Sequence, residues 1–430
     1  MELNAEQKQA VNHGSGCCVV TANPGSGKTR VLTSRVIRLI NNGIEPSSIL
    51  CLTFTNKAAD EMRERIASQI SGSEKIWIST FHKLCVGILR KFGHKIGISP
   101  DFTIQIAKDQ HDLMKKISRM QERDMKDHEI YTLCHLSNTH REDLKTLDSF
   151  RSELEDRYDW KSDIYFSIIE EYLNTLNDYH TVDFSGILSR CHELLVACPE
   201  VAKALCKKFQ YVSVDEGQDT NIIQYEIIKI LSEHNNLFVI GDYAQCIYSF
   251  RNANPENLYK IFTDFENVKH IILPKNYRST GKILQAAQNL IRNNPMSEDV
   301  VLEGTKEEGE DVVINSFPTP EYEANFVCEK IKQLVEEKGF SYKDIAVLYR
   351  SNSLSKIIEQ KCRYYDIDYQ IVAGYSFYDR KEIRDALAYL TLVANPHDST
   401  AFHRAVSTPK RGIGNIAIGK IEIRLKRKGD

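Results

Sequence analysis

The chain has 430 residues, of which 42% are hydrophobic and 27% charged, and this composition excludes collagen-like, coiled-coil and largely disordered proteins. At roughly 150 residues per domain the length predicts about three domains. The 56 basic and 59 acidic residues give a net charge of -3. Binding of nucleic acid through global positive charge is therefore excluded, whereas a local groove with stacked aromatic rings is still allowed.

Cysteine usage and hydropathy indicate the compartment. The 11 cysteines show no C-x-x-C spacing, and several lie in apolar runs, which predicts buried thiols in a reducing compartment without a disulfide framework or a zinc site. The N-terminus is polar, and no apolar run reaches the ~18 residues needed to cross a bilayer. We therefore expect a soluble, cytoplasmic protein with no membrane partner.

Short apolar runs alternate with helical patterns along most of the chain, which predicts an α/β protein with a parallel sheet. The first sheet is expected to take strands from residues 17–20, 49–54, 76–78, 211–214, 237–240 and 270–273. Helices are predicted at 28–41 and 57–70. Strand-like runs are absent between about 86 and 180, which predicts an inserted helical subdomain. A second αβ unit is expected after an acidic stretch at 298–311, with strands at 312–314, 345–348 and 370–372 and helices at 321–337 and 354–365.

The segment from Ala22 to Thr29 has the sequence context of a P-loop, because it follows a strand and opens a helix. Gly25 and Gly27 allow the backbone to approach phosphate oxygens, and the helix N-terminus adds partial positive charge. Lys28 would supply a charge between the β- and γ-phosphates, and the Thr29 hydroxyl can ligate Mg²⁺. The strict pattern has glycine where Ala22 stands. The alternative is a glycine-rich turn that only joins a strand to a helix.

Two acidic residues follow the strand at 211–214 and could complete such a site. Asp215 would hold Mg²⁺, directly or through water, and Glu216 could take a proton from the attacking water. The alternative is an acidic turn that caps the next helix.

The N-terminal segment has two interpretations. Asn4 and Gln7 have the spacing of a capping box at the start of a helix. The Gln7 carboxamide, which has both donors and acceptors, could instead pair with the edge of an adenine ring. Spacing alone does not separate these interpretations.

Several motifs in fixed order carry a resemblance to a known family. They are Thr21–Arg30, Leu52–Ala59, Ser79–His82, Val214–Thr220, Gly241–Arg251, Asn276–Ser279, Asp344–Asn352, Gly374–Ile383 and Thr408–Gly414. In combination they closely resemble the UvrD/Rep/PcrA group of superfamily 1 DNA helicases, from Leu3 to about Gly414. The resemblance implies 3′→5′ translocation on single-stranded DNA, or at a single-strand/double-strand junction, driven by ATP with Mg²⁺.

The resemblance also implies a RecA-like P-loop NTPase fold with four parts. Residues 1–85 and 183–280 would form the first ATP-binding motor domain, and 86–182 its inserted helical subdomain. Residues 281–375 would form an incomplete second RecA-like domain, and 376–430 the start of a second inserted subdomain.

Residue roles follow from the resemblance position by position. Gln7 would read adenine and Tyr277 would stack on it, while Lys28, Asp215 and Glu216 would serve phosphate, metal and general base. Gln245 would sense the γ-phosphate, and Arg278 would act as an arginine finger, since a guanidinium fork matches phosphate oxygens. The nucleotide-binding set is Gln7, Ala22, Asn23, Pro24, Gly25, Ser26, Gly27, Lys28, Thr29, Arg30, Tyr277 and Arg278.

For DNA, the family places aromatic rings under the bases, and stacking is tolerant of sequence. The matching positions are Phe54 and Phe250, with Tyr248 beside the latter. Phosphates or sugars would be bound by Thr53, Thr55, Asn56, Thr80 and His82. In the second motor domain, Arg350 and Asn352 would face the DNA. Taken singly, an aromatic residue of this kind is more often a core residue than a DNA contact.

The later motor motifs of the family have no counterpart in residues 380–430. We therefore expect a C-terminally truncated family member, and a second chain is a candidate source of the absent motifs. The alternative function is an ATP- and DNA-binding module without autonomous unwinding. An ATPase unrelated to nucleic acid is disfavoured by the Phe54, His82 and Phe250 segments.

Overall fold

The computed structural model describes residues 2–233, 236–247, 252–294, 302–372, 381–394, 399–409 and 411–413. The chain divides into two units, Met1–Asp311 and Val312–Asp430. The boundary between the units lies between Asp311 and Val312. From the resemblance, the second motor domain is expected to begin at residue 281. The intervening strand at Glu303–Gly304 pairs with Lys275–Asn276 of the first unit, which explains the later division.

The strands all lie in the first unit, as far as the structure is described. They are β1 (Cys18–Ala22), β2 (Ile49–Thr53), β3 (Trp77–Thr80), β4 (Thr103–Gln105), β5 (Thr181–Asp183), β6 (Tyr211–Val214), β7 (Asn236–Gly241), β8 (Lys269–Leu273), β9 (Lys275–Asn276) and β10 (Glu303–Gly304). Six of them form one parallel sheet in the order β3-β2-β6-β7-β1-β8. The six predicted strands of this sheet are confirmed.

Helices cover both faces of this sheet and form the insertion. In the first unit they are α1 (Ala5–Val11), α2 (Lys28–Asn41), α3 (Asn56–Ala67), α4 (Phe81–Phe92), α5 (Ala107–Met120), α6 (Asp127–Glu142), α7 (Leu147–Tyr158), α8 (Ser162–Asp178), α9 (Phe184–Ala197), α10 (Pro199–Lys208), α11 (Ile222–Leu231), α12 (Glu256–Asp264) and α13 (Gly281–Ile291). Both helices predicted near the P-loop are confirmed.

Strand residues alternate between two buried cores because successive side chains point to opposite faces. Val19, Leu50 and Leu52 contribute to one core, while Cys18 and Val20 contribute to the other. Burial on both faces explains why these strands read as continuous apolar runs. The rigid sheet then holds the loops at its carboxyl edge, where ligands bind in open parallel α/β sheets.

The insertion is helical, as predicted, with one difference. Helices α5 to α8 pack around their own core, which includes Met114, Leu133, Phe150 and Tyr172. The sequence predicts no strand in this region, but β4 pairs in parallel with β5. Each of these strands has three residues, and such short runs carry too little periodicity to be recognised.

The second unit has α14 (Pro320–Lys338), α15 (Ser355–Tyr364), α16 (Lys381–Ala394) and α17 (Ser399–Ser407). The predicted helices at 321–337 and 354–365 are confirmed. The strands predicted at 312–314, 345–348 and 370–372 are wrong, since no residue of the described part of this unit pairs in a ladder. Apolar runs become strands only beside a partner strand. Here Ile314 is 92% and Leu348 94% exposed. The described helices include none with the length and apolarity that crossing a bilayer requires.

Candidate functional site

The loop after β1 has the backbone of an anion site. Gly25 and Gly27 have φ angles of +69° and +86°, and a Cβ on Gly25 would lie 2.7 Å from the Arg278 Cβ, so glycine is required there. Gly27 is the N-cap of α2, which directs the partial positive charge of that helix into the loop. Asn23 Nδ2 and Ser26 Oγ are buried without hydrogen-bond partners among the described residues. Buried donors of this kind fit the oxygens of a phosphate.

Other residues of the P-loop lie on either side of this anion site. Ala22 ends β1 and is fully buried, and Pro24 precedes Gly25 with its carbonyl turned towards β9. Thr29 and Arg30 lie in the first turn of α2, beside Lys28. The predicted P-loop residues are therefore contiguous with the helix start.

The acidic pair after β6 meets the P-loop lysine. Lys28 Nζ donates a hydrogen bond to Glu216 Oε2 over 2.6 Å, and the lysine side chain is only 10% exposed. Asp215 is buried, and this burial, followed by the charge of Glu216, raises its pKa to about 6. Glu216 has a φ of +51°, a left-handed conformation that is costly for a residue with a Cβ. The strained turn holds the carboxylate against the lysine.

A buried glutamine extends this contact to the next strand. Gln218 Nε2 donates to Glu216 Oε2 over 2.9 Å, and Gln218 Oε1 accepts from the Asp242 N–H over 2.9 Å. Gln245 Nε2 in turn donates to Asp242 Oδ2 over 2.7 Å. Lys28 and Gln245 are therefore joined through a chain of hydrogen bonds. The sequence alone gives Gln218 and Asp242 no role, although both lie within motifs that carry the resemblance.

Two further acids on this edge have raised pKa values. Burial, followed by the charge of Glu216, raises the pKa of Asp219 to about 7. Burial also raises the pKa of Asp242. The charge of Lys28 partly offsets the rise in the pKa of Asp215, Asp219 and Asp242. Among the described residues, no group of three or more His, Cys, Asp or Glu side chains could hold a metal ion by itself. The oxygens of Thr29 and Asp215 are ligands of the kind that Mg²⁺ takes together with waters and substrate phosphates.

The N-terminal helix lies beside the P-loop. The capping box between Asn4 and Gln7 is present, which confirms that interpretation. The Gln7 Nε2 also donates to the Ser26 carbonyl over 2.8 Å, and Asn4 Nδ2 donates to the Tyr277 hydroxyl over 2.9 Å. Gln7 and Tyr277, which the resemblance assigns to adenine, thus lie on the same side of the P-loop.

Asn276 attaches the motif after β8 to the P-loop. Its side chain is fully buried, with Nδ2 donating to the Pro24 carbonyl over 2.5 Å and Oδ1 accepting from the Arg278 N–H over 2.9 Å. The Tyr277 N–H donates to the Gly25 carbonyl over 3.0 Å. Arg278 therefore starts directly beside the phosphate loop. Asn276 opens the motif Asn276–Ser279, but the sequence alone gives it no role.

A groove at the ends of β2 and β3 brings together part of the predicted DNA-binding set. It has a volume of 590 Å³ and is lined by Asn56, Ala59, Asp60, Arg63, Ser79, Thr80, His82, Lys83, Val86, Ile104, Phe184 and Ile187. The rings of His82 and Phe184 meet edge to face with centroids 5.7 Å apart. Phe184 is 49% exposed, and burial lowers the pKa of His82. Nothing in the sequence marks Phe184 as a site residue, because it follows the N-cap of α9 without a motif of its own.

The remaining predicted residues lie elsewhere. Phe54 and Thr55 precede α3, and the Thr55 hydroxyl caps that helix by accepting from the Ala58 N–H over 3.1 Å. Neither lines the groove, and Thr53 is fully buried at the end of β2. Arg350 and Asn352 lie in the second unit, before α15. Tyr248 and Phe250 lie outside the described residues, as do residues 374–380, Lys410 and Gly414.

Comparison with known proteins identifies the family. Residues 3–266 match the family model of the UvrD/REP helicase N-terminal domain, and residues 271–428 match that of the UvrD-like helicase C-terminal domain. The chain belongs to the UvrD/Rep helicase family. Its parallel sheet with a P-loop is the RecA-like fold that the resemblance implied.

Relatives within the UvrD/Rep family include bacterial proteins named ATP-dependent DNA helicase PcrA. The protein of Bacillus subtilis (strain 168) is 39% identical over 423 residues, covering 97% of this chain and 57% of the relative. That of Staphylococcus aureus (strain NCTC 8325 / PS 47) is 36% identical over 423 residues, covering 98% and 57%. That of Leuconostoc citreum is 36% identical over 423 residues, covering 97% and 56%. The chain thus spans a little over half the length of these relatives.

Proposed function

We propose that this chain is an ATP-hydrolysing DNA helicase or translocase of the UvrD type, which moves 3′→5′ along single-stranded DNA. One observation carries the proposal. Three distant segments meet at one point of the sheet edge: Lys28 of the P-loop, the acidic pair and Asn276–Arg278. The acidic pair lies about 190 residues after Lys28 and the third segment about 250 residues after it, and Lys28 contacts Glu216 directly. The names of the relatives, which are ATP-dependent DNA helicases, agree with it.

Nucleotide binding is proposed for the loop and for the surface beside it. The N–H groups and buried donors of residues 22–29 would hold the phosphates, with Arg30 beside them. Gln7 and Tyr277 would hold the base, since the Gln7 carboxamide keeps one N–H and one lone pair beyond its two internal hydrogen bonds. Thr29 and Asp215 would hold Mg²⁺, which supplies charge neutralisation at the phosphates.

Hydrolysis would use three further groups. Glu216 is the proposed general base, because its carboxylate lies beside Lys28 at the point where the terminal phosphate would be held. Arg278 would place its guanidinium on the same phosphate, since its backbone is attached to the P-loop by Asn276. Gln245 would report the state of the phosphate through Asp242 and Gln218.

Single-stranded DNA is proposed to follow the groove with the His82–Phe184 pair. Asn56 and Thr80 would contact phosphate or sugar, while the half-exposed Phe184 ring offers a base a stacking surface. Phe54 and Thr55 would extend this track at the start of α3. Arg350 and Asn352 of the second unit, and Tyr248 and Phe250, remain proposals from the resemblance.

The parts assigned by resemblance remain our proposal for the domain organisation: 1–85 with 183–280, 86–182, 281–375 and 376–430. The second unit exposes Val313, Ile314, Leu348 and Val372. Exposed apolar segments of this kind are open to pairing with further strands. This supports the proposal that strands carrying the later family motifs, whichever chain supplies them, cover these segments.

ATP turnover with and without single-stranded DNA tests the function, with Lys28→Ala as the control. DNA-stimulated turnover that this substitution abolishes supports the enzyme. ATP and DNA binding without turnover would instead support the alternative, a binding module without autonomous unwinding. Duplexes with a 3′ or a 5′ single-stranded tail then test the direction and the preference for a junction, and unwinding from the 5′ tail alone would contradict 3′→5′ movement.

A further inference from the structure

The C-terminal end of α6 connects the insertion to the sheet edge. Glu142, the last residue of that helix, accepts hydrogen bonds from three donors on three different segments. They are Ser185 Oγ at 2.5 Å, Asn221 Nδ2 at 3.1 Å and Asn252 Nδ2 at 3.0 Å. The insertion therefore touches α9, the start of α11 and the loop before α12 through a single carboxylate.

The position of this carboxylate is unfavourable for the helix alone. A negative charge at a helix C-terminus meets the negative end of the helix dipole. The three donors compensate for this, and each is a polar group that would otherwise need another partner. The neighbouring Arg141 anchors the same helix end, with both its terminal nitrogens 2.7 Å from the Asp183 carboxylate.

One of the three contacts leads directly to the proposed general base. Asn221 is the buried N-cap of α11 and forms a capping box with Gln224. Between it and Glu216 lies a single turn, closed by the Asp219 N–H donating to the Glu216 carbonyl over 2.9 Å. Thr220, at the end of this turn, accepts from Asn257 Nδ2 over 2.9 Å. A shift of Asn221 would therefore move the strained turn that holds Glu216 against Lys28.

We propose that Glu142 is a positioning residue through which the helical insertion sets the rate of ATP hydrolysis. It acts on the turn from Glu216 to Asn221 and touches none of the proposed phosphate-binding groups, so it should affect kcat rather than the KM for ATP. The proposal rests on the proposed ATPase function.

The test compares Glu142→Ala and Glu142→Gln with a matched control on the same helix. Glu129→Ala is that control, because Glu129 accepts from the Lys126 N–H and from Lys161 Nζ at 2.8 Å, both within the insertion. With single-stranded DNA present, we expect Glu142→Ala to lower kcat about tenfold with the KM for ATP unchanged. Glu142→Gln, which keeps acceptor oxygen but loses the charge, should be intermediate, and Glu129→Ala should match the unmodified chain.

Hydrogen exchange provides a second readout that does not need turnover. Amides of residues 217–225 should exchange faster in Glu142→Ala, and not in Glu129→Ala. Unchanged kcat and unchanged exchange in Glu142→Ala would overturn the proposal, as would an equal loss in both alanine variants. If the unmodified chain does not hydrolyse ATP, the proposed function fails, and the exchange comparison alone decides whether Glu142 positions the turn.

Discussion

Lys28 and Glu216 form a 2.6 Å ion pair across 188 residues of sequence. The pair joins the residue expected to bind the terminal phosphate to the residue expected to activate water. A bound phosphate would accept hydrogen bonds from the Lys28 ammonium group and so compete with Glu216 for it. The Glu216 carboxylate, released from the lysine, could then act as a base. The contact therefore links phosphate binding to activation of the base.

Glu216→Gln should preserve ATP binding and abolish hydrolysis, because the amide keeps a contact with Lys28 but is a far weaker base. We expect a loss of at least about 10²-fold in kcat, measured by single-turnover phosphate release, with the Kd of a fluorescent ATP analogue within a few-fold. Glu226→Gln, a neutralised glutamate on α11, serves as the control. Hydrolysis retained by Glu216→Gln would show that the base lies elsewhere.

Asp215→Asn should stabilise the free chain while removing Mg²⁺-dependent turnover. The folded pKa of about 6 lies above the ordinary value of 3.8, so the buried charge destabilises the fold at a pH above 6, and this penalty disappears below pH 3.8. The gain in unfolding free energy, on the order of 1–3 kcal/mol, should thus be present at pH 8 and smaller at pH 5.

Thermal melts of Asp215→Asn at these two pH values, without nucleotide or metal, check this sign. A gain that is larger at pH 5 than at pH 8 would contradict it. Asp60→Asn, at an exposed carboxylate paired with Arg63, is the control and should show no comparable pH dependence.

Asn276→Ala should weaken both the fold and ATP binding. It removes the hydrogen bonds to the Pro24 carbonyl and from the Arg278 N–H, and each such bond contributes about 0.5–1.5 kcal/mol to stability. Calorimetry should show a lower melting temperature and a higher Kd for Mg·ATP. Asn289→Ala on α13 is the control, and equal ATP affinity in both variants would remove Asn276 from the nucleotide site.

Phe184→Ala should weaken the binding of single-stranded DNA by about 1–3 kcal/mol, the contribution of one stacked base, and leave turnover without DNA unchanged. Phe262→Ala is the matched control, because Phe262 also meets a histidine edge to face, at 5.4 Å from His270, and does not line the groove. Fluorescence anisotropy with an oligonucleotide measures the effect. Equal affinities would exclude Phe184 from the DNA track.

Local sequence patterns were sufficient to predict much of the fold of the first unit. The strand at β1, the glycines of the P-loop and the start of α2 are neighbours in sequence, so their order already predicts their geometry. The same reasoning failed at 345–348, where an apolar run has the composition of a strand but no partner strand beside it. It also missed β4 and β5, because three-residue strands show no period.

The sequence by itself determined the parallel sheet, the phosphate loop, the acidic pair and the family, since each depends on residues close together in the chain or on motifs in fixed order. Only the tertiary structure decided that Asn4 reaches Tyr277, that Gln218 joins Glu216 to Asp242, and that Glu142 ties the insertion to Asn221. These hydrogen bonds are all made by side chains, to other side chains or to the backbone, and most of them join distant segments. Nothing in local propensity encodes them, because they form only when the packed sheet and helices bring their donors and acceptors within 3 Å or so of each other.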